Sequence, residues 1–416
     1  MKKEKLSIFE NMIWNTVGSF TYLFCQWLLT LIVVRISSDM ENAGNLALAI
    51  SITNIFFSLA NFNVRPYLVS DLKNKYISNE YSAFRIFTGS ISVIGCVVYS
   101  IFFGYSEKQF ATIMLYMLFK LGESWVDLLH GFEQKVSRMD IGGISLFVRG
   151  ILSVFSFTVM LYCTDDVNKS IAVMAACTFC FILIYDCNMA SKFVNYIPKI
   201  SIGKIREMFF EFLPVAFGAF VNTISSNVPR QVLEAKMGSD TLGYYSTIAT
   251  PAVIVQVAAS YVFNPVLTQF ALLYNEKKKS EFVKLIIKIS GVLVTLSIIC
   301  IVGALILGEW GLLFLYGERI QEYVYLFMPV IYYTCLNAFV WFFWNLLVIM
   351  RKMKHLLMIN IIGAIFCLAI MNPIISVYGM NGVSYTMIVY SIVILLMMLS
   401  VMVKEICKTD FVEQEI

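Results

Sequence analysis

The sequence predicts an all-α polytopic membrane protein, with twelve transmembrane helices in two six-helix bundles related by a pseudo-twofold axis along the membrane normal. Three observations predict it. Twelve apolar stretches fill the 416 residues, each close to the roughly 20 residues that a helix needs to cross hydrocarbon. The chain is 59% hydrophobic and only 14% charged, far from the half-apolar, quarter-charged balance of soluble domains. Its basic residues collect in every second connection between the apolar stretches.

That alternation sets the orientation. Segments 1–10, 65–85, 131–140, 191–211, 266–284, 350–355 and 404–416 hold 22 of the 31 Lys and Arg. The intervening connections hold five: Arg35, Lys108, Lys169, Lys236 and Arg319. Short cytoplasmic loops retain positive charge, so both termini are expected in the cytoplasm and the protein in a bacterial inner (cell) membrane. Because topology distributes the positives, the net charge of +4 gives no reason to expect a nucleic-acid partner.

In chain order, the first span (11–34) follows Lys2, Lys3 and Lys5. The apolar run from Met12 to Val34 is too long for a signal core, and Arg35-Ile36-Ser37-Ser38-Asp39 offers no small-residue cleavage site, so a retained helix is expected. The second span (43–64) runs into Tyr67–Ala83, which reads as an amphipathic surface helix. Spans at 86–104, 109–130, 141–163 and 170–190 complete an N-terminal bundle, 1–190. The basic segment 191–211, with Pro198 and Pro214 around it, reads as a cytoplasmic linker. The C-terminal bundle, 212–403, then holds spans at 212–233, 242–265, 285–307, 324–349, 356–376 and 383–403, and 404–416 is a cytoplasmic tail. The longest outward loop is 308–323, which leaves no room for a folded extramembrane domain.

The two bundles read as repeats offset by about 199 residues. Gly18 corresponds to Gly218, Gly44 to Gly243, and Arg65-Pro66 to Asn264-Pro265. Six is an even number of crossings, so both copies enter from the same side and the repeat is parallel.

Polar groups inside hydrocarbon are costly, and their placement is the best functional signal. The first span carries Asn11, Asn15, Ser19, Tyr22 and Gln26 on nearly one face; the seventh carries Asn222, Ser226 and Arg230 at i, i+4 and i+8. The second holds Asn54, Asn61 and Asn63, and the eighth Thr247, Thr250, Gln256 and Ser260. These four helices are expected to line a shared central cleft, against the alternative that the polar faces only bond helix to helix. Arg35 and Arg230 would sit near its outer mouth. Lys120, Glu123 and Asp127 share one face of the fourth span. Glu123 and Arg149 both lie about 11 Å from the cytoplasmic ends of their helices at 1.5 Å per residue, so an ion pair between them is expected, either as a structural clamp or as part of the function. Asp186, near a helix end, is expected to snorkel to the surface.

No catalytic constellation accompanies these groups. Neither His130 nor His355 has a nucleophile or carboxylate at motif spacing, and no glycine-rich phosphate loop precedes a helix. Cys177 and Cys180 form a CxxC on an apolar helix with no second pair, which reads as packing rather than metal or redox chemistry. No cofactor and no metal are expected, and transport fits better than catalysis.

Asn11 to Gln26, the Arg35–Gly44–Ala47–Ala49 stretch, and Asn227-Val228-Pro229-Arg230 with Gly238 and Leu242-Gly243-Tyr244-Tyr245-Ser246 together resemble the oligosaccharide-lipid flippases of the multidrug/oligosaccharidyl-lipid/polysaccharide exporter superfamily. The resemblance spans nearly the whole chain. It implies two six-helix bundles around a central cavity lined by helices one, two, seven and eight. The implied function is movement of a polyprenyl-diphosphate-linked oligosaccharide to the outer leaflet by alternating access, for O-antigen or capsule, with membrane lipids and a polysaccharide polymerase as partners. On that reading Arg35, Arg230, Arg149, Lys120, Gln26, Asn15, Asn54, Asn222 and Ser226 contact substrate, and Glu123 and Asp127 couple an ion. An ion-coupled multidrug antiporter of the same superfamily, using those two acids, is the first alternative. An integral-membrane polymerase or acyltransferase is the second.

Overall fold

The computed structural model describes residues 8–71, 74–199 and 201–407. Lys2, Lys3 and Lys5, and the expected tail beyond Cys407, lie outside the described residues. Among the described residues every regular element is helical, and eleven helices are long and apolar enough to cross a membrane. The chain folds as two compact units, Met1–Asn227 and Val228–Ile416.

The N-terminal unit comprises α1 (Ile8–Ile36), α2 (Glu41–Asn61), α3 (Val64–Ser70), α4 (Ser78–Phe102), α5 (Glu107–Lys135), α6 (Met139–Thr164), α7 (Val167–Phe181), α8 (Cys187–Ala190) and the first part of α9 (Ile202–Met237). Local sequence sets the boundaries. Phe62 and Asn63 adopt left-handed backbone angles, which ends α2 and lets α3 start with Pro66 in its first turn, where a missing N–H costs nothing. Ser106 caps α5, accepting from the Gln109 backbone N–H at 3.3 Å while the Gln109 side chain reaches back. The Asp166 carboxylate does the same for α7 through Asn168 and Lys169. Helix α5 falls outside the eleven apolar helices; it is the one that carries Lys120, Glu123 and Asp127, and it packs against α2, α3, α4, α6 and α7.

Helices α1 and α6 meet closely because glycine lines their seam. A Cβ on Gly18 would stand 2.3 Å from the Gly143 carbonyl oxygen, and one on Gly143 would stand 2.4 Å from the Trp14 oxygen. Small residues let membrane helices approach at backbone distance, where dispersion and polar contacts supply the attraction that lipid does not.

Residues 202–212 do not behave as a linker. They form the start of α9 and bury Met208 and Phe212 against Phe62, Tyr76 and Phe84, and Phe212 stacks on Tyr67 with ring centroids 4.0 Å apart. Tyr76 donates to Glu207 (3.1 Å) and also bonds Glu211, and burial together with these two carboxylates pushes its phenol above the ordinary value. The apolar residues of this stretch therefore form a packing face.

The C-terminal unit takes the remainder of α9, then α10 (Ser239–Ala249), α11 (Val253–Phe263), α12 (Leu267–Asn275), α13 (Lys279–Tyr316), α14 (Phe327–Ile349), α15 (Met353–Tyr378) and α16 (Asn381–Cys407). A 3-10 turn at Thr250–Ala252 separates α10 from α11, where Pro251 cannot donate to the helix ladder. Another 3-10 turn, Asn264–Val266, leads into α12, so each unit carries a short helix directly after its second crossing. The unit's core is Phe263, Phe270, Phe282, Phe342 and Leu346, among others. The loop expected over 308–323 is instead mostly helix: α13 runs to Tyr316, and after Gly317, at φ 85°, a 3-10 segment occupies Glu318–Leu326. The apolar Gly311-Leu312-Leu313-Phe314-Leu315 run gives the chain no reason to leave the helix earlier.

Candidate functional site: the charged interior of the N-terminal unit

Helix α5 places Lys120, Glu123, Asp127, His130 and Gln134 at alternating three- and four-residue steps, one stripe along its length. Neighbouring helices answer each charge. The Arg149 Nη1 on α6 donates to Glu123 Oε1, while Tyr22 of α1 donates to Glu123 Oε2 at 2.6 Å. Arg149 is 1% exposed, its Nε donates to Ser145 at 3.1 Å, and its guanidinium lies 5.5 Å from the Tyr22 ring. Thus the ion pair expected from equal depth forms, and Tyr22 is its third member. Lys120 sits over the rings of Phe57 and Tyr116 at 4.9 and 5.6 Å, a cation–π cradle.

One turn further along, Asp127 is shared by two arginines. Arg65 of α3 approaches at 3.3 Å and Arg85 of α4 at 3.2 Å. Arg85 also donates to the Ala60 carbonyl (2.8 Å), Asn61 Oδ1 (3.0 Å) and Ser124 Oγ (3.1 Å). The basic-residue pattern places Arg85 in a cytoplasmic segment ending at residue 85. In the structure α4 begins at Ser78, so Arg85 lies two turns inside and is buried. The capping geometry at Ile77 and Glu80, where Glu80 accepts from the Ile77 N–H at 3.0 Å, was the signal for the earlier start.

Beyond Asp127 lies a second missed group. His130 Nε2 is 3.5 Å from Asp186 Oδ1, and both residues are buried. Asp186 does not snorkel. The chain from Ile182 to Asp186 is π-helical, and the wider turn rotates the following residues relative to an α-helix, which directs Asp186 inward. Glu133 is also fully buried, and neither its carboxylate oxygens nor those of Asp186 find a hydrogen-bond donor among the described residues.

The other expected site residues are more dispersed. Gln26 donates to Ser153 at 3.4 Å, so it bonds helix to helix. Asn15 and Asn54 are half-buried, and Arg35 is exposed at the last turn of α1. Asn222 is exposed and Ser226 half-buried, with the Ser226 hydroxyl donating to the Asn222 carbonyl at 2.8 Å. Arg230 belongs to the C-terminal unit, half-buried and within electrostatic range of the Tyr245 and Tyr333 hydroxyls. Among the described residues no group of three or more His, Cys, Asp or Glu is arranged to hold a metal ion.

Capsular polysaccharide biosynthesis protein CapF of Staphylococcus aureus is 29% identical over 317 residues, which is 74% of this chain and 78% of that protein. No family model matches. An inward-facing multidrug resistance MATE family transporter of the MOP superfamily superposes with a TM-score of 0.70 at 9% identity, covering 99% of this chain and 97% of its own. The lipid II flippase MurJ in an inward closed conformation superposes with a TM-score of 0.72 at 13% identity, covering 95% of this chain and 89% of its own. The fold is that of the MOP superfamily transporters. It is a multi-pass membrane fold whose neighbours here are transporters and flippases rather than enzymes, and it serves both drugs and a lipid-linked substrate, so substrate has to be argued from side chains.

Proposed function

We propose that this protein is a flippase that moves a polyprenyl-diphosphate-linked oligosaccharide from the inner to the outer leaflet of a bacterial inner membrane by alternating access, in the assembly of a surface polysaccharide such as capsule or O-antigen. One observation carries the reading. Along α5 the carboxylates of Glu123 and Asp127 lie among four cations, Arg65, Arg85, Lys120 and Arg149, with the buried acids Glu133 and Asp186 beyond them. A membrane interior that presents three guanidinium groups suits an anionic cargo better than a cationic drug. Guanidinium groups offer planar, multidentate donors to phosphate or acidic-sugar oxygens. The capsule-related protein similar to this chain supports the same cargo class.

In this reading Arg149 and Lys120, with Arg35 and Arg230, meet the diphosphate or acidic sugars during passage, and Gln26, Asn15, Asn54, Asn222 and Ser226 replace the hydration of sugar hydroxyls. Glu123 and Asp127 hold the arginines in place, and couple an ion by exchanging an arginine partner for a cation. Both termini remain cytoplasmic, and a polysaccharide polymerase receives the product outside.

Deleting the gene is expected to abolish the surface polysaccharide and to accumulate its lipid-linked precursor in the inner leaflet, with recovery on complementation. Normal surface polysaccharide in the deletion strain, accompanied by drug hypersensitivity, would transfer the assignment to drug export.

A further inference from the structure

On the flank of the N-terminal unit, α4 and α5 leave between them a groove of about 430 Å³, in the size range of small-molecule sites. It is lined by Ile86, Ile94, Leu121 and Trp125, with Gly89 between them, and Arg85 stands at one end of the α4 run. The rim faces outward: Ile86 and Ile94 are 47% and 62% exposed, whereas Phe84, Thr88, Ser92 and Cys96 on the opposite face of α4 are buried. In a membrane-spanning bundle an outward apolar rim meets hydrocarbon, so the occupant is a lipid chain rather than water or a soluble ligand.

The charge at its foot selects which lipid. Arg85 and Arg65 share the carboxylate of Asp127, and the Arg85 Nε has no hydrogen-bond acceptor among the described residues. Arg85 stands seven residues inside the start of α4 and is 2% exposed. A bulk phospholipid keeps its phosphate in the hydrated headgroup layer and gains nothing from a cation buried inside the protein. A carrier lipid whose anionic head is drawn into the protein interior does gain, and its first hydrocarbon units would then leave along the groove toward Ile94.

From this juxtaposition of the buried Arg85, with Arg65 beside it on Asp127, and a bilayer-facing apolar groove, we infer that α4 and α5 hold the isoprenoid chain next to the phosphate of the substrate's carrier lipid. The inference rests on the flippase reading above and adds a place for the tail. Gly89 keeps that place open. A Cβ there would touch Leu121 Cδ2 at 3.4 Å, so the few further atoms of a leucine must occupy the groove.

The test uses the full chain in proteoliposomes and a polyprenyl phosphate bearing a diazirine in the isoprene units nearest the phosphate. Photolysis and peptide mass spectrometry are expected to place adducts on segments 86–94 and 121–125. Unlabelled polyprenyl phosphate should compete them away, and phosphatidylglycerol at the same concentration should not. G89L, and at the rim I94W, should each cut labelling at least fivefold; the rim variant changes a lipid-facing position and guards against misfolding of the first. Equal competition by phosphatidylglycerol, equal labelling by a diacyl diazirine lipid, or adducts confined to other helices would overturn the groove assignment. Complementation of surface polysaccharide by the wild-type gene is scored separately. Complementation without groove labelling removes this inference alone, and groove labelling without complementation removes the export reading.

Discussion

In the N-terminal unit Arg85, His130, Glu133, Arg149 and Asp186 are all more than nine-tenths buried. Past Val228 the buried polar residues are mainly hydroxyls and amides: Gln231, Thr247, Thr334, Asn360, Ser384, Thr386 and Ser391, with Glu234 as the acid. There Tyr245 and Ser384 share a hydrogen bond at 3.0 Å, and threonines such as Thr247 and Thr386 return their hydroxyls to the carbonyl four residues back, at 2.7 Å in both cases. Both units run crossing, short helix, crossing in the same order, so the fold does not demand the charges. Desolvating an ion costs several kcal/mol even after relaxation, and a buried pair seldom stabilises more than well-packed apolar residues would. Charges kept in one unit and largely dispensed with in the other are therefore better explained by what the protein moves than by what holds it together.

The largest expected effect tests that asymmetry directly. Replacing either member of the Glu123–Arg149 pair leaves its partner buried without a counter-charge, which costs about 3–5 kcal/mol in soluble proteins. Glu123→Gln and Arg149→Gln should each lower the detergent-solubilised folded yield and the unfolding temperature. The double exchange Glu123→Arg with Arg149→Glu should recover part of the loss. Full stability of both single variants would mean that the pair is dispensable, and the contrast between the units would lose its energetic basis.

A middle-sized effect separates packing from charge. At Gly143 any side chain runs into the α1 backbone, whereas Gly291 and Gly303 in the C-terminal unit have no atom within 4 Å of an added Cβ. Overpacking costs about 1–3 kcal/mol, so Gly143→Leu should destabilise while Gly291→Leu remains near wild type in a thermal-shift measurement. Equal behaviour of the two would show that the α1–α6 seam adapts, and with it the geometry that brings Tyr22 to Glu123.

The helical membrane fold was legible because the bilayer imposes coarse rules of length and apolarity. The Glu123–Arg149 pair was legible for a related reason, since depth along a helix follows from residue count. Arg85 and Asp186 were not legible from the same arithmetic. Arg85 lies at the edge of a basic segment, where helix and loop differ only by a cap at residues 77–80. Asp186 is turned inward by five π-helical residues, a change of face that an α-helical period cannot anticipate. His130 finds Asp186 only through tertiary packing, since Asp186 lies 56 positions further along the chain. The polar faces of α1 and α9 were read as one kind of surface, yet Gln26 bonds α6 whereas Asn222 is exposed, and helical spacing alone does not distinguish the two.

The smallest expected effect on stability falls on Arg230, and for that reason it sharpens the comparison most. Arg230 is half-buried in the unit whose interior otherwise holds mostly neutral polar groups, and it follows Pro229, which removes one backbone hydrogen bond from α9. Because it is only half-buried, Arg230→Gln should shift folding by no more than about 0.5 kcal/mol, the usual range for substitutions away from buried features. Transport should respond differently. If Arg230 meets anionic oxygens of the cargo, Lys cannot reproduce its planar set of donors, so Arg230→Lys should lower surface polysaccharide and Arg230→Ala should lower it further, at equal membrane levels of protein. A cation that only snorkels to the headgroups would tolerate Lys. Full complementation by the Ala variant would remove Arg230 from substrate handling and leave the charged stripe of α5 as the part of the protein that meets the cargo.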